Sequence, residues 1–167
     1  EAKFRRIAEQ MTDMVWINDL QYKASYVSPS VEKIYGLTVE EYFTTPLEKR
    51  FPQHSIGTLK TVHQKLLAEL EANPALQSRE VTIEIEAYKK DGTPIWVKST
   101  TKVLCDNNNK PIGFMGVSSD ITARKKAEIA LAKSEARYRT LYDASPVGIV
   151  VTGSENEILL GNDSFKK

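Results

Sequence analysis

The sequence predicts an α+β domain, in which a five-stranded antiparallel sheet carries small helices and one long helix on one face and is flanked by connecting helices at both ends. Three observations carry this expectation. Strand-like stretches bracket a helical zone, two before it and three after. In VTIEIEA (81–87), Val81, Ile83 and Ile85 alternate with Thr82, Glu84 and Glu86, the pattern of a strand with one buried face. Residues 123–145 contain neither Gly nor Pro and are rich in strong helix formers.

In chain order, residues 1–13 read as a helix with Phe4, Ile7, Ala8 and Met11 on one side. MVWIND (14–19) and ASYVS (24–28) are rich in branched and aromatic residues and read as a hairpin, ended by Pro29. SVEKIYG (30–36) fits a short helix stopped by Gly36, and Thr38 with Glu41 forms a capping-box pattern before the next. Leu59, Val62, Leu66 and Leu70 mark a long amphipathic helix over about 55–72, closed by Asn73 and Pro74. The turn after VTIEIEA sets the register. A two-residue Asp91-Gly92 loop would place Ile85 opposite Lys98; a three-residue loop through Thr93 places Ile85 opposite Ser99 and Glu86 opposite Lys98. We predict the three-residue loop. IGFMGVSSD (112–120) follows as the last strand.

With 23 basic and 22 acidic residues in 167, the charge balance points to neither nucleic acid nor an anionic membrane. One cysteine, Cys105, excludes an internal disulfide, and with only His54 and His63 beside it a structural zinc site is not expected. A reducing, cytoplasmic setting is expected. No apolar run reaches the roughly 18–20 residues of a membrane span, and the start is neither a signal peptide nor an initiating methionine, so the chain reads as internal to something longer. GxxxxGK[ST], HExxH and GxSxG are all absent, and no catalytic residues are expected.

Within the connecting helix, Ala127, Leu131, Ser134, Tyr138 and Leu141 step by 4, 3, 4 and 3, a short coiled-coil seam that implies a partner helix and hence a homodimer. Sliding the chain by 134 residues lays Phe4 on Tyr138, Arg5 on Arg139, Ile7 on Leu141, Val15 on Ile149, Ile17 on Val151, Tyr26 on Leu160 and Ser30 on Ser164 without a gap. The expected organisation is a flanking helix (1–13), a sensor domain (14–122), a connecting helix (123–145) and the start of a second copy of the domain (146–167), cut before it could close a core.

This order of elements resembles the PAS (sensory box) domain. YVSPSVEKIYGLTVEEY (26–42) looks like that family's sensory-box segment, KKDGTPIWV (89–97) like its hairpin, and GFMGVSSDIT (113–122) like its C-terminal signature, with the Asp120-Ile121-Thr122 ending before ARKKAE the most specific part. The resemblance covers about 4–126, and 138–167 looks like the opening of another copy. It implies a curled sheet enclosing a pocket, found mostly in sensor histidine kinases and diguanylate cyclases, with adjacent sensor and output domains in the same chain. A ligand-free dimerisation module is the third expectation.

The strand alternation assigns the inward face to Ile83, Ile85, Val97, Ser99, Thr101, Phe114, Gly116 and Ser118, with Trp16 and Asn18 from the first strand. The polar members of this set suit either a small ligand needing oriented hydrogen bonds or a filled core whose hydroxyls bond internally. Some PAS domains carry haem on a histidine of the long helix, where His63 lies, although a packed histidine is the commoner use; His54 is a weaker candidate. Photosensing members use a cysteine on the small helices. None lies between 29 and 72, so a flavin adduct is not expected and Cys105 reads as a small apolar filler. Asp120, Ile121 and Thr122 form the expected relay junction, Thr122 capping the exit helix and Asp120 tying it to the sheet. Arg124, Lys125 and Lys126 read as a solvated helix start rather than a nucleic-acid contact.

Overall fold

The structure, a computed structural model, describes residues 12–154 and 157–165. The helix expected over 1–13 lies outside these, apart from Thr12 and Asp13, which form a bend. By its contacts the chain divides into two units, 1–122 and 123–167.

In the first unit, β1 (Met14–Asp19) and β2 (Ala24–Val27) precede four helices, α1 (Val31–Tyr35), α2 (Val39–Thr44), α3 (Leu47–Arg50) and α4 (Gln53–Ala72). After a 3-10 turn (Pro74–Ser78) come β3 (Val81–Tyr88), β4 (Pro94–Cys105) and β5 (Pro111–Asp120). The five strands form one antiparallel sheet in the order β2-β1-β5-β4-β3. β1 therefore sits between its hairpin partner and the last strand, with Trp16 opposite Gly116 and Asn18 opposite Phe114. The alternation read from β3 continues through β4 and β5, where Val97, Ser99, Thr101, Phe114, Gly116 and Ser118 are all buried. α4 packs across β3 and β4 through Leu59, His63, Leu66 and Leu70, while Val62 is half-buried at the stripe's edge.

Local chemistry ends and joins these elements as their residues require. Gly36 closes α1 at φ 68°, a left-handed conformation that costs a residue with a side chain more than it costs glycine. At α2 both capping-box bonds form: Glu41 N–H donates to Thr38 Oγ1 at 3.2 Å and Thr38 N–H to Glu41 Oε2 at 3.0 Å. Lys90 Nζ also reaches Glu41 Oε1, and these bonds hold the Glu41 carboxyl below its usual range. The β1–β2 and β4–β5 turns share one design. Asp19 Oδ1 accepts from the amides of Gln21 and Lys23, as Asp106 Oδ1 does from Asn108 and Lys110.

The β3–β4 hairpin corrects the expected register. Its loop has three residues, but they are Lys90, Asp91 and Gly92, with Lys89 N–H donating to Thr93 O at 2.9 Å. Ile85 consequently faces Val97 and Glu86 faces Trp96, two residues from the expected partners. Gly92 at φ 82° supplies the left-handed third loop position, and Lys90 N–H donates to Tyr35 O at 2.8 Å, anchoring the loop to α1.

α5 (Thr122–Asp143) begins at the last residue of the first unit and otherwise belongs to the second, which also carries a hairpin of β6 (Val150–Thr152) with β7 (Ile158–Gly161). The repeat is reproduced in hydrogen bonds. Trp16↔Val27, Ile17↔Tyr26 and Asn18↔Ala24, with a bulge after Ile17, become Val150↔Gly161, Val151↔Leu160 and Thr152↔Ile158, with a bulge after Val151. Even the buried side-chain tie recurs, as Val15 N–H to Ser28 Oγ becomes Ile149 N–H to Asn162 Oδ1.

Two substitutions separate local from long-range stability. Thr38→Ala removes one capping bond and is expected to cost about 1 kcal/mol in urea unfolding. Gly116→Ala places a methyl 2.5 Å from Thr100 O and 2.6 Å from the Trp16 ring, and is expected to cost about 2–3 kcal/mol, since neither neighbour can retreat without breaking the sheet.

Candidate functional site

The concave face of the sheet and helices α1 to α4 enclose the core. Trp16 is held there by its own polar edge: Nε1–H donates to Ser118 Oγ at 2.9 Å, and Ser118 Oγ donates to Ser99 Oγ at 3.1 Å. Ser99 and Ser118 are thus satisfied by one another and by Trp16 across β1, β5 and β4, while Thr101 Oγ1 reaches His63 Nε2 and the Met115 carbonyl. Six of the expected residues, Trp16, Asn18, Ile85, Val97, Ser99 and Ser118, wall one cavity. Phe114 and Thr101 instead pack around His63, Gly116 makes room for the Trp16 ring, and half-buried Ile83 packs against the core away from the cavity.

This cavity has a free volume of about 30 Å³, room for one or two waters. Ligand pockets usually hold roughly 300–1,000 Å³. The inward hydroxyls therefore serve a nearly filled core in this conformation.

His63 is 2% exposed on α4. Its ring stacks on Phe114 at 4.0 Å between centroids and lies near-parallel to Tyr22 at 5.5 Å, while Nε2 is 3.3 Å from Thr101 Oγ1. Nδ1 has no protein partner. Burial pushes the imidazole pKa down to about 4, which keeps it neutral. With its ring covered by aromatic side chains, and a neighbouring space far too small for a porphyrin, this site does not fit haem. His54 is exposed and lies 3.0 Å from Glu86 Oε2. Cys105 is half-buried against the core at the end of β4.

Sequence reasoning named Leu59 and His63 on the long helix but missed the cavity's other walls, Tyr22 of the β1–β2 turn and Tyr35, Tyr42, Leu47, Arg50 and Phe51 of the segment with the small helices. Tyr22 sits at φ 66°, an uncommon conformation for an aromatic residue, in the turn that aims its ring at His63 and Phe114. Arg50, the last residue of α3, is 5% exposed, with its guanidinium carbon 4.1 Å above the Tyr42 ring. Burial raises the pKa of Tyr35 and Tyr42 above the ordinary phenol value, and Arg50 opposes that shift in both. In the sequence LEKRFP, Arg50 reads as one more surface charge; the one available signal was its place three residues after Leu47 and beside Phe51.

At the end of β5 the expected roles are exchanged. Thr122 Oγ1 does not cap α5 but accepts from Trp96 N–H of β4 at 3.0 Å, while Asp120 Oδ1 takes the Thr122 amide at 2.9 Å. Ile121, half-buried, extends the ladder by donating its amide to Trp96 O at 2.9 Å. Trp96 is thus bonded through both main-chain groups to the residues where the sheet becomes α5. Along α5, Ala127, Leu131, Ser134, Tyr138 and Leu141 are all exposed, the three large residues by 60–72%. Arg124 pairs with Glu128 at 2.6 Å and Lys125 lies 3.7 Å from the same carboxylate.

The buried histidine makes stability pH-dependent. Below about pH 6.5 the unfolded chain takes up a proton that folded His63 refuses until about pH 4, so stability falls through that window. The expected loss is ~3 kcal/mol, and His63→Gln is expected to flatten that part of the curve of denaturant midpoint against pH.

Family models and relatives agree with this architecture. One model, described as the PAS fold, matches residues 2–121, and a second, described as a PAS domain, matches 136–167. Their starts differ by the same 134 residues as the internal repeat. A methanogenesis regulatory histidine kinase, FilI of Methanothrix harundinacea, is 23% identical over 160 residues, 96% of this chain. The chain spans 17% of that protein's length. The sensor histidine kinase TmoS of Ectopseudomonas mendocina is 44% identical over 43 residues, 26% of this chain and 4% of its own. Among solved structures, a PAS domain from Colwellia psychrerythraea aligns with TM-score 0.57 at 23% identity, over 73% of this chain and 98% of its own. A sensory box histidine kinase/response regulator from Burkholderia thailandensis aligns with TM-score 0.55 at 23% identity, over 83% and 99%. With its sheet order, its inserted helices and a family model covering residues 2–121, the chain belongs to the PAS family.

Proposed function

We propose that this chain is a sensory input and relay segment of a sensor histidine kinase with tandem PAS domains, and that it acts through the β5–α5 junction rather than by catalysis. The observation that carries the reading is the three-bond clamp on that junction. Trp96 holds Ile121 and Thr122, Asp120 holds Thr122, and all three bonds lie within the last turn of sheet before α5. A change in the twist of β4 against β5 must then re-aim the first turn of the helix, because loosening the clamp would leave polar groups unpaired. The curated histidine kinases that resemble the chain support this output over a diguanylate cyclase or phosphodiesterase.

The nearly filled cavity favours a second form of the reading, in which the segment relays changes in dimer packing without a ligand in its core. Its seam would be Ala127, Leu131, Ser134, Tyr138 and Leu141, whose large members stand exposed on α5 and would be covered by a second copy. Among the described residues no helix is long and apolar enough to cross a membrane.

In the full-length protein, Asp120→Ala is expected to change autophosphorylation while leaving the sheet folded. Thr122→Val, which removes the acceptor for Trp96 N–H, is expected to shift output in the same direction and to speed hydrogen exchange at the Trp96 amide. Wild-type output from both variants would remove the junction from the mechanism.

A further inference from the structure

Arg50 is a buried cation without an anion. Its Nε has no hydrogen-bond partner, and among the described residues no carboxylate lies within ion-pair distance of it. Tyr42 offsets part of the desolvation cost through its ring beneath the guanidinium and through its side-chain hydrogen bond with Arg50, but as a neutral phenol it supplies no countercharge. Of the buried side-chain atoms left with neither a hydrogen-bond nor an ion-pair partner, Ser55 Oγ and His63 Nδ1 among them, Arg50 Nε alone belongs to a group with a full charge, and that charge points to a group from outside.

The surroundings say which kind. Arg50 walls the small inner cavity and also an outer cleft of about 310 Å³, and Tyr22, Tyr42 and Leu47 are likewise common to both. The cleft lies between the β1–β2 turn and helices α2 and α3, within the size range of ligand pockets. Its charged walls are Lys23, Lys60 and Arg50 against Glu48 alone, so its field favours an anion. Tyr22, Ala24, Phe43, Pro46 and Leu47 give it apolar sides. Phe43, 44% exposed, is among the few large hydrophobics left open on this unit.

We propose that this cleft binds a small organic carboxylate, its carboxylate paired with the Arg50 guanidinium and its short apolar body between Tyr22, Phe43 and Leu47. A planar guanidinium suits a planar carboxylate in a way a lysine ammonium does not. The proposal deepens the sensory reading by naming what is sensed. Occupancy would also press on Tyr22, whose ring stacks on His63 and Phe114, and so reach β5 from the mouth of the cleft.

The test is a titration of the 167-residue chain, labelled with 15N in arginine, by acetate, butyrate, hexanoate and benzoate at constant ionic strength. Chloride and inorganic phosphate serve as comparison anions. One arginine Nε–H resonance, missing from Arg50→Lys, is expected to move saturably with butyrate or a longer carboxylate, and the melting temperature to rise with it. Arg50→Lys is expected to weaken binding about tenfold or more, because the charge remains but the fork is lost. If that variant does not fold, the wild-type titration still decides, the Arg50 resonance being assigned by its contacts to the Tyr42 ring. An Arg50 Nε–H that stays in place with every carboxylate overturns the proposal. An equal response to chloride or phosphate overturns it too, since the apolar cleft would then contribute nothing. Binding is read here without any kinase output, so its absence leaves the junction mechanism standing, and a silent Asp120→Ala leaves the binding site standing.

Discussion

The fold depends on one long-range seating, that of the Trp16 indole on Gly116. β1 meets β5 almost a hundred residues later in the chain, and the loop closure this requires must be repaid by contacts unavailable to either strand alone. Gly116 has no side chain, so the indole occupies the space a Cβ would take, and its N–H continues through Ser118 to Ser99 on β4. Three strands are thereby joined by one aromatic ring and two hydroxyls. Without this seating β1 and β2 would be a lone hairpin, and the concave face that carries the cavity would lack its floor.

The chain contains that comparison in itself. β6 and β7 repeat the register of β1 and β2, bulge included, and repeat the tie from Val15 to Ser28 through Ile149 and Asn162. Hairpin geometry is therefore a local property of the sequence. Burial is not. Trp16 is 5% exposed and Val15 9%, while their counterparts Val150 and Ile149 are 40% and 37% exposed. The difference lies in what the rest of a domain lays against the same backbone.

On the concave side, polarity is arranged in two ways. Trp16, Ser118, Ser99 and Thr101 bond to one another or to neighbours, which lets polar atoms sit in a core at little cost. Arg50 Nε, Ser55 Oγ and His63 Nδ1 lack such partners and all belong to the helical side. The sheet is thus internally complete and the helical layer is not. A domain that must respond to its surroundings can do so where bonds are still to be made, and transmit through the part whose bonds are already fixed.

How much of this was legible in the sequence follows from the range of the forces involved. Among the described residues, the five strands, the long helix, the connecting helix, the Gly36 stop and the capping box at Thr38 were readable, because each rests on residues a few positions apart, and the repeat was readable because it copies such local patterns. The inward face was readable too, since strand alternation has period two and survived a register error of two residues at Lys90–Gly92. That register itself was decided by tertiary structure, through the bond from Lys90 to Tyr35. So was the swap of roles between Asp120 and Thr122, which depends on the Trp96 main chain lying alongside. Arg50 and Tyr22 were invisible as site residues for the same reason. A charged side chain in LEKRFP and an aromatic one in a polar turn become a binding wall only when elements distant in sequence bury them together.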